Sequence, residues 1–461
     1  MKPFLALTLL ALLAGCASFT PKPIDPAAQQ TAYESRRLDD PEVRQFIERS
    51  VGHEIAPWPP KTWDVTTLTL AALHFHPDLQ NAQAATLLAQ ARILTAGARP
   101  NPTLGVTLQN NVSTTYGLGL DIPIETAGKR DYRIDQARHL EQAAKLREAD
   151  TVWQVRSRLR ASLLAAYPTE AQLVRQRDLQ EEIARLLERR FAAGYASQPD
   201  LTQARLTLHQ ATLALAENRK QRAESLARLA SAVGVPMRAL DGREVSFDVF
   251  GQLVQPGQLP SADLQRQALL TRPDVLVALA EYAASQSALQ LEIARQYPDI
   301  SLGPGFSWNP GATMWSLGLS LVLPLLNRNE GPIAEAKAQR QVAAAAFLST
   351  QAKAIAEVDQ ARAGYGQAIR KFEIADRLLR EQQKQERAAT AALRAGEADR
   401  LTWLSARYET ASAELARINA LTQAQQSLGL LQDALHRPIG EAALPAAEAA
   451  VTQPIHNGAQ P

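Results

Sequence analysis

The sequence predicts a mainly α-helical chain that also carries membrane β-strands, built from a hairpin-plus-long-helix unit present twice in tandem. Three observations lead there. Motifs along the first half return, in order, in the second half. Both copies switch at the same place from helical spacing to strict alternation. The only cysteine closes an N-terminal secretory signal.

The repeat can be followed residue by residue. His76-Pro77-Asp78-Leu79 returns as Arg272-Pro273-Asp274-Val275, and Arg99-Pro100-Asn101-Pro102 returns around Arg295 and Pro298. Tyr116-Gly117-Leu118-Gly119-Leu120 returns as Trp315-Ser316-Leu317-Gly318-Leu319, and Ala193-Gly194 as Ala395-Gly396. The exits match as well, Gly234-Val235-Pro236 against His436-Arg437-Pro438. The offset drifts only from about 196 to about 202 residues, so a whole unit is duplicated with short insertions. Two such units must sit side by side as parts of one larger object.

Residues 1–15 read as a signal peptide: Lys2, then an apolar run to Leu13 that is too short to span a bilayer as a helix. Leu13-Ala14-Gly15-Cys16 matches the bacterial lipoprotein box, which leaves a lipid-modified Cys16 as the mature N-terminus. Ala17, not Asp, follows it, which favours sorting to the outer membrane. A lone cysteine has no internal disulfide to make. Residues 16–61 are Pro-rich without periodicity and are expected to form an extended tether.

The first repeat, 62–236, opens on a short helix at Thr66 to Phe75. Pro77 then starts a second helix that runs to about Ala98. A β-hairpin follows at about 102–124. Leu104, Val106 and Leu108, then Tyr116, Leu118, Leu120 and Ile122, alternate with small or polar residues around an Asn110-Asn111-Val112-Ser113 turn. After a linker at 237–260, the second repeat spans 261–438. Its helices run from Ala262 to Thr271 and from Pro273 to about Gln296, and its hairpin lies at about 298–325 around Asn309-Pro310-Gly311. About ten alternating residues is what a tilted strand needs to cross a bilayer. Leu118, Leu120, Leu317 and Leu319 then face lipid, and Gly119, Asp121, Ser316 and Ser320 face a lumen.

Long helices follow each hairpin, about Gly128 to Ala193 and Glu330 to Ala395, each on the order of 100 Å if continuous. Pro168 predicts a break in the first. Gly194-Tyr195-Ala196-Ser197 and Gly396-Glu397-Ala398-Asp399 turn the chain back through helices to about Val233 and Leu435. Each glycine supplies the left-handed backbone that ends a helix sharply. The tail, 439–461, reads as disordered.

Forty-nine basic and 47 acidic residues are close to balanced, so no nucleic-acid partner is implied. There is no phosphate-binding glycine loop, nucleophile elbow or zinc-spaced cluster, hence no enzyme, catalytic residue, cofactor or metal site. His74 and His76, two apart, point to different sides of a helix. Four strands cannot close a membrane barrel, because open sheet edges are not tolerated in hydrocarbon and the smallest such barrels need about eight. The chain must oligomerise, and a dimer, trimer or tetramer all satisfy the geometry.

The order of lipobox, hairpin, long helix, tight turn and return helix resembles the TolC-like outer membrane factors over nearly the whole mature chain. The hairpin exits, Pro123-Ile124-Glu125-Thr126-Ala127-Gly128-Lys129-Arg130 and Leu323-Pro324-Leu325-Leu326-Asn327-Arg328-Asn329-Glu330-Gly331, are most similar to the cobalt–zinc–cadmium-type cation efflux branch. The resemblance implies a homotrimer with a 12-stranded outer-membrane β-barrel continued by a periplasmic α-helical barrel. It implies a passive export duct for heavy-metal cations, docked on a periplasmic adaptor protein and an inner-membrane efflux pump. A duct for drugs or other organic compounds is the alternative within the family. A periplasmic adaptor or structural coiled-coil lipoprotein is the alternative of another class.

By the same resemblance Gly194, Tyr195, Ala196, Ser197, Gly396, Glu397, Ala398 and Asp399 form the periplasmic gate and adaptor contact, with Asp200 as a gating acid. Thr402 and Ser405 stand where some relatives carry an acidic ring, which departs from the pattern. Helix capping is the competing reading of Asp200 and Asp399.

Overall fold

The structure is a computed structural model that describes residues 19–110, 114–260 and 262–440. Cys16, the signal, the centre of the first hairpin turn and the tail beyond Gly440 lie outside the described residues.

The N-terminal region corrects one expectation. Instead of an extended tether, it holds two helices, α1 (Pro26–Ser35) and α2 (Pro41–Val51). The prolines are helix starters: Pro26 and Pro41 follow Asp25 and Asp40, and each occupies the first turn, where its missing N–H costs nothing. Leu38, Val43 and Ile47 are fully buried. Tyr33 donates its hydroxyl to the Val235 carbonyl (3.1 Å), and Arg36 donates to the carbonyls of Phe75 (3.1 Å) and Gly234 (2.7 Å). The segment straps together the ends of two first-repeat helices.

The first repeat continues through β1 (Thr62–Trp63), α3 (Val65–Phe75), α4 (Pro77–Gly97), β2 (Thr103–Asn110) and β3 (Thr114–Ile124). It then runs through α5 (Lys129–Ala165), α6 (Glu170–Ala192) and α7 (Gln198–Val233). His76 serves as the N-cap of α4, its Nδ1 accepting the Asp78 N–H at 3.2 Å. The break at Pro168 is present: α5 stops at Ala165 and α6 restarts at Glu170. Beyond the linker strand β4 (Glu244–Val245), which pairs parallel with β1, come α8 (Ala262–Thr271), α9 (Pro273–Ala294), β5 (Ile300–Asn309) and β6 (Ala312–Leu321). The last two described elements are α10 (Glu330–Ala395), uninterrupted for 66 residues, and α11 (Arg400–Leu435).

The four long strands form one antiparallel sheet in the order β2-β3-β5-β6. The helices follow the same order beneath it, α4 beside α5, α5 beside α9, α9 beside α10. At the far end the order is α7, α6, α11, α10. One lateral edge of the molecule is therefore β2, α4 and α7, and the other is β6 and α10.

The core sits at the equator. Leu159, Leu163, Leu229, Val233, Trp63 and Phe250 pack with the N-terminal helices, and Tyr365, Leu428 and Leu431 pack with the linker. The linker is held by Gln425, which donates to the carbonyls of Phe250 (3.2 Å) and Gln252 (2.6 Å) and accepts from buried Arg160 (3.0 Å). Among the described residues no helix is long and apolar enough to cross a membrane.

Candidate functional site

The sheet is two-faced by register. Val106, Leu118, Phe306 and Trp315 are cross-strand neighbours in one row, and Leu302 pairs with Leu319 on the same face. Gly105, Gly119, Gly305 and Ser316 form the corresponding row on the other face, where Ser301 pairs with Ser320 and Asp121 with Thr103. Apolar side chains meet apolar neighbours along most of the sheet, with Trp308 opposite Thr313 and Met314 opposite Ser307 near the second hairpin's turn, since the side-chain period is two and directly paired residues share a face. Every described residue of β2 and β6 is exposed, and among the described residues neither strand has a partner on its outer side. Leu317 and Leu319 are 75% and 64% exposed, a state tolerable only against lipid or another apolar surface.

Beneath the sheet, the strand-to-helix exit is a polar joint. Lys129, 7% exposed, donates from Nζ to Asp299 Oδ1 (2.7 Å) and to the Tyr297 carbonyl (2.7 Å). The Thr126 N–H donates to the same carboxylate at 2.9 Å. Arg130 donates to the Gly97 carbonyl (2.8 Å) and Arg133 to that of Ala96 (3.2 Å), closing the C-terminal end of α4 with cations. Arg133 also pairs with Glu125. Sequence reasoning matched this stretch as a family word without finding its job. The signal was there in the arginines following Gly128.

The opposite end holds the predicted turn residues. Both turns are built alike. Gly194 (φ 78) and Gly396 (φ 77) are left-handed. Tyr195 N–H reaches back to the Arg190 carbonyl (2.7 Å), and Glu397 N–H to that of Ala392 (2.8 Å), the long closing bond of a Schellman stop. Ser197 and Asp399 are then the equivalent N-caps of α7 and α11.

The capping chemistry is exchanged between the copies. Ser197 accepts the Asp200 N–H (3.3 Å), while the Asp200 carboxylate accepts the Ser197 N–H (3.2 Å) and hydroxyl (2.6 Å). Asp399 accepts both the N–H and the hydroxyl of Thr402, each at 2.8 Å. These bonds hold the Asp200 carboxyl below its usual range. The Thr402 N–H, joined by Arg190 at 2.8 Å, takes the Asp399 carboxyl down to about 2. Tyr195 is 84% exposed, and Ala196 and Ala398 are the short residues before the caps. No group of metal-ligating side chains occurs among the described residues.

A family model described as outer membrane efflux protein matches residues 69–235 and 264–435, one stretch for each copy of the repeat. The chain belongs to that family. Among outer membrane efflux relatives, the cobalt-zinc-cadmium resistance protein CzcC of Cupriavidus metallidurans is 27% identical over 57% of this chain. The chain spans 62% of that relative's length. The pyoverdine export outer membrane protein OpmQ of Pseudomonas aeruginosa is 26% identical, covering 70% of this chain and 73% of its own. The outer-membrane channel OprN superposes with a TM-score of 0.67 at 18% identity, over 93% of this chain and 99% of that one, which shows a shared fold. Membership in the family, with both repeats matched, sets aside the adaptor or coiled-coil lipoprotein alternative and places the protein in the outer membrane with a periplasmic extension.

Proposed function

We propose that three copies of this chain close a 12-stranded outer-membrane barrel, continued by a periplasmic α-helical barrel, and form the passive export duct of a tripartite efflux system. The observation that carries the reading is a four-stranded sheet with one apolar face and two unpaired edges. In hydrocarbon such edges must be closed, and only further copies supply strands of the right kind. The lateral helix edges support it: Leu87, Leu94, Leu206 and Leu213 are exposed on one side, and Val342 and Leu348 on the other.

The chain does no chemistry of its own in this role, and the energy comes from an inner-membrane pump through a periplasmic adaptor. The adaptor docks at the two exposed turns, Gly194 to Ser197 and Gly396 to Asp399. Asp200, Glu397 and Asp399 surround the mouth there, and the Arg190–Asp399 pair links the two copies in the resting state. Lipid on Cys16 adds a second anchor. The apolar sheet face is the first.

Heavy-metal cations are the proposed cargo, by likeness to CzcC and the two hairpin exits. OpmQ supports a second reading, export of organic chelators. Deleting the gene separates them. Loss of zinc, cobalt and cadmium tolerance supports the first, and intact metal tolerance with lost export of an organic compound supports the second.

A further inference from the structure

The two hairpins leave the sheet differently. The first exit folds straight into the polar joint: Glu125 pairs with Arg133, and Thr126 donates its N–H to Asp299 (2.9 Å) and its hydroxyl to the Pro298 carbonyl (2.7 Å). The offset between the copies is 199 residues at Leu120 and Leu319. It is 201 at Gly128 (φ 72) and Asn329 (φ 61), the left-handed residues just before the long helices, so the second exit is two residues longer. Counted back from those residues, Leu326 stands where Glu125 does and Ala334 where Arg133 does. The ion pair that folds the first exit inward has no counterpart, and a leucine takes the place of its acid.

Leucines then continue past the last paired residue of the sheet. Leu317, Leu319 and Leu321 alternate along β6, whose pairing ends with Leu321 opposite Ile300, and Leu323, Leu325 and Leu326 follow. Leu323 and Leu325 are exposed, and no large apolar side chain among the described residues is more exposed than Leu326 (103%). The segment is held at both ends. The Leu325 N–H donates to the Leu323 carbonyl (2.8 Å), and Asn329 donates from Nδ2 to the carbonyl (2.8 Å) and carboxylate (3.0 Å) of Glu292. Arg328 between them is exposed and has no ion pair among the described residues.

The height of the sheet places this segment in the membrane. Tyr116 and Trp308 (5.7 Å between ring centroids) and Phe306 and Trp315 (5.0 Å) cluster on the apolar face toward the hairpin turns, the pattern of an interfacial aromatic girdle. Leu325 lies 10 residues from Trp315 along the chain. At ~3.3 Å per residue and a tilt of about 40°, that run descends about 25 Å, the height of the apolar band of such a sheet. Tyr297, also exposed, lies 9 residues from Phe306 and marks the same lower level beside β5. The hydrocarbon therefore ends at Leu325 and Leu326, with Arg328 at the depth of lipid phosphates.

We infer that the second exit is a lipid-binding foot: Leu325 and Leu326 enter the acyl boundary of the periplasmic leaflet, and Arg328 pairs with the phosphate of an anionic phospholipid. The foot rests on the membrane-spanning sheet proposed above. It adds a contact that the sheet itself does not require, since the first exit closes on polar bonds instead. Apolar side chains followed at once by a cation match the interface, where a guanidinium reaches headgroups while leucines stay among acyl chains. The foot lies where strands give way to helices, so it sets the depth at which the helical barrel begins.

The test is fluorescence quenching in full-length protein reconstituted into phosphatidylethanolamine–phosphatidylglycerol vesicles. Leu326→Cys, Leu319→Cys and Tyr195→Cys are each labelled with bimane, with the parent protein giving any background from Cys16. Lipid carrying a nitroxide near its headgroup should quench Leu326→Cys at least about twofold more than Tyr195→Cys at the exposed tip. Lipid with the nitroxide deep in the acyl chain should quench Leu319→Cys most. Leu325→Cys carries the same expectation as Leu326→Cys where the latter fails to assemble. Quenching of Leu319→Cys without quenching of the foot overturns the foot, leaving it in water or beneath a neighbouring copy. Absence of quenching at Leu319→Cys as well overturns the spanning sheet itself. For the cation, native mass spectrometry with added phosphatidylglycerol should show Arg328→Gln retaining this lipid about fivefold more weakly than the parent, and Arg328→Lys close to it. Equal retention by the glutamine variant would overturn the role of Arg328.

Discussion

Arg190 and Asp399, 209 residues apart in sequence, meet at 2.8 Å and join the tip of the first repeat to the turn of the second. The same Asp399 carboxylate caps α11 through Thr402, so one side chain both starts a helix and fastens two copies together. Arg400 and Glu182 form a second link between the same helices.

Replacing the charge while keeping the cap separates those two jobs. Asp399→Asn retains an N-cap acceptor and should leave thermal stability within about 0.5 kcal/mol, whereas Asp399→Ala should cost about 1 kcal/mol. Both should raise resting conductance in planar bilayers if the Arg190 link holds the mouth closed. Resting conductance that rises only with the alanine variant would assign Asp399 to capping alone.

The Asp399 carboxyl is held at about 2 against its ordinary 3.8, so its contribution is complete above pH 3.8 and is lost as the pH falls toward 2. Amide hydrogen exchange at residues 400–403 should therefore be flat from neutral pH down to about 4, after correction for intrinsic rates, and quicken below it. Quickening that begins near pH 6 would point to a different group.

Leu319→Arg should impair assembly far more than Ser320→Arg, at about 2–4 kcal/mol per copy near mid-bilayer on the lipid face. Yield of folded oligomer after membrane extraction reads the difference. Equal losses would contradict the facing deduced from the strand register.

Much of this architecture was legible because it is periodic or local. Alternation located both hairpins, Pro168 located the helix break, and Gly194 and Gly396 located the turns, each acting through its own backbone. The N-terminal helices escape a reading of residues 16–61 as Pro-rich and aperiodic, because Pro26 and Pro41 each follow an aspartate and start a helix. The Arg190–Asp399 pair and the Gln425 latch were out of reach, since they join residues that only the finished fold brings together. Capping at Asp200 was weighed from sequence alone. Its reciprocal bonds with Ser197 show the local geometry that a Ser-x-x-Asp word encodes.

Gln425→Ala should destabilise the equator by about 1–3 kcal/mol, because it removes an acceptor from buried Arg160 and a donor from the carbonyls of Phe250 and Gln252. Limited proteolysis should then cut the linker between residues 241 and 260 faster than in the wild type. An unchanged cleavage rate would mean that the linker is held by Tyr365 and Phe250 packing instead.

Cys16→Ser should abolish incorporation of labelled fatty acid and leave part of the protein membrane-bound, since the sheet is an independent anchor. Labelling of the serine variant at wild-type level would remove the lipid assignment.

Native mass spectrometry of the extracted protein, followed by planar-bilayer recording of the same sample, tests the duct most directly. Three copies per particle and a conducting, membrane-inserted channel are the predicted result. A particle of one copy, or a trimer that inserts and never conducts under any voltage, would contradict it.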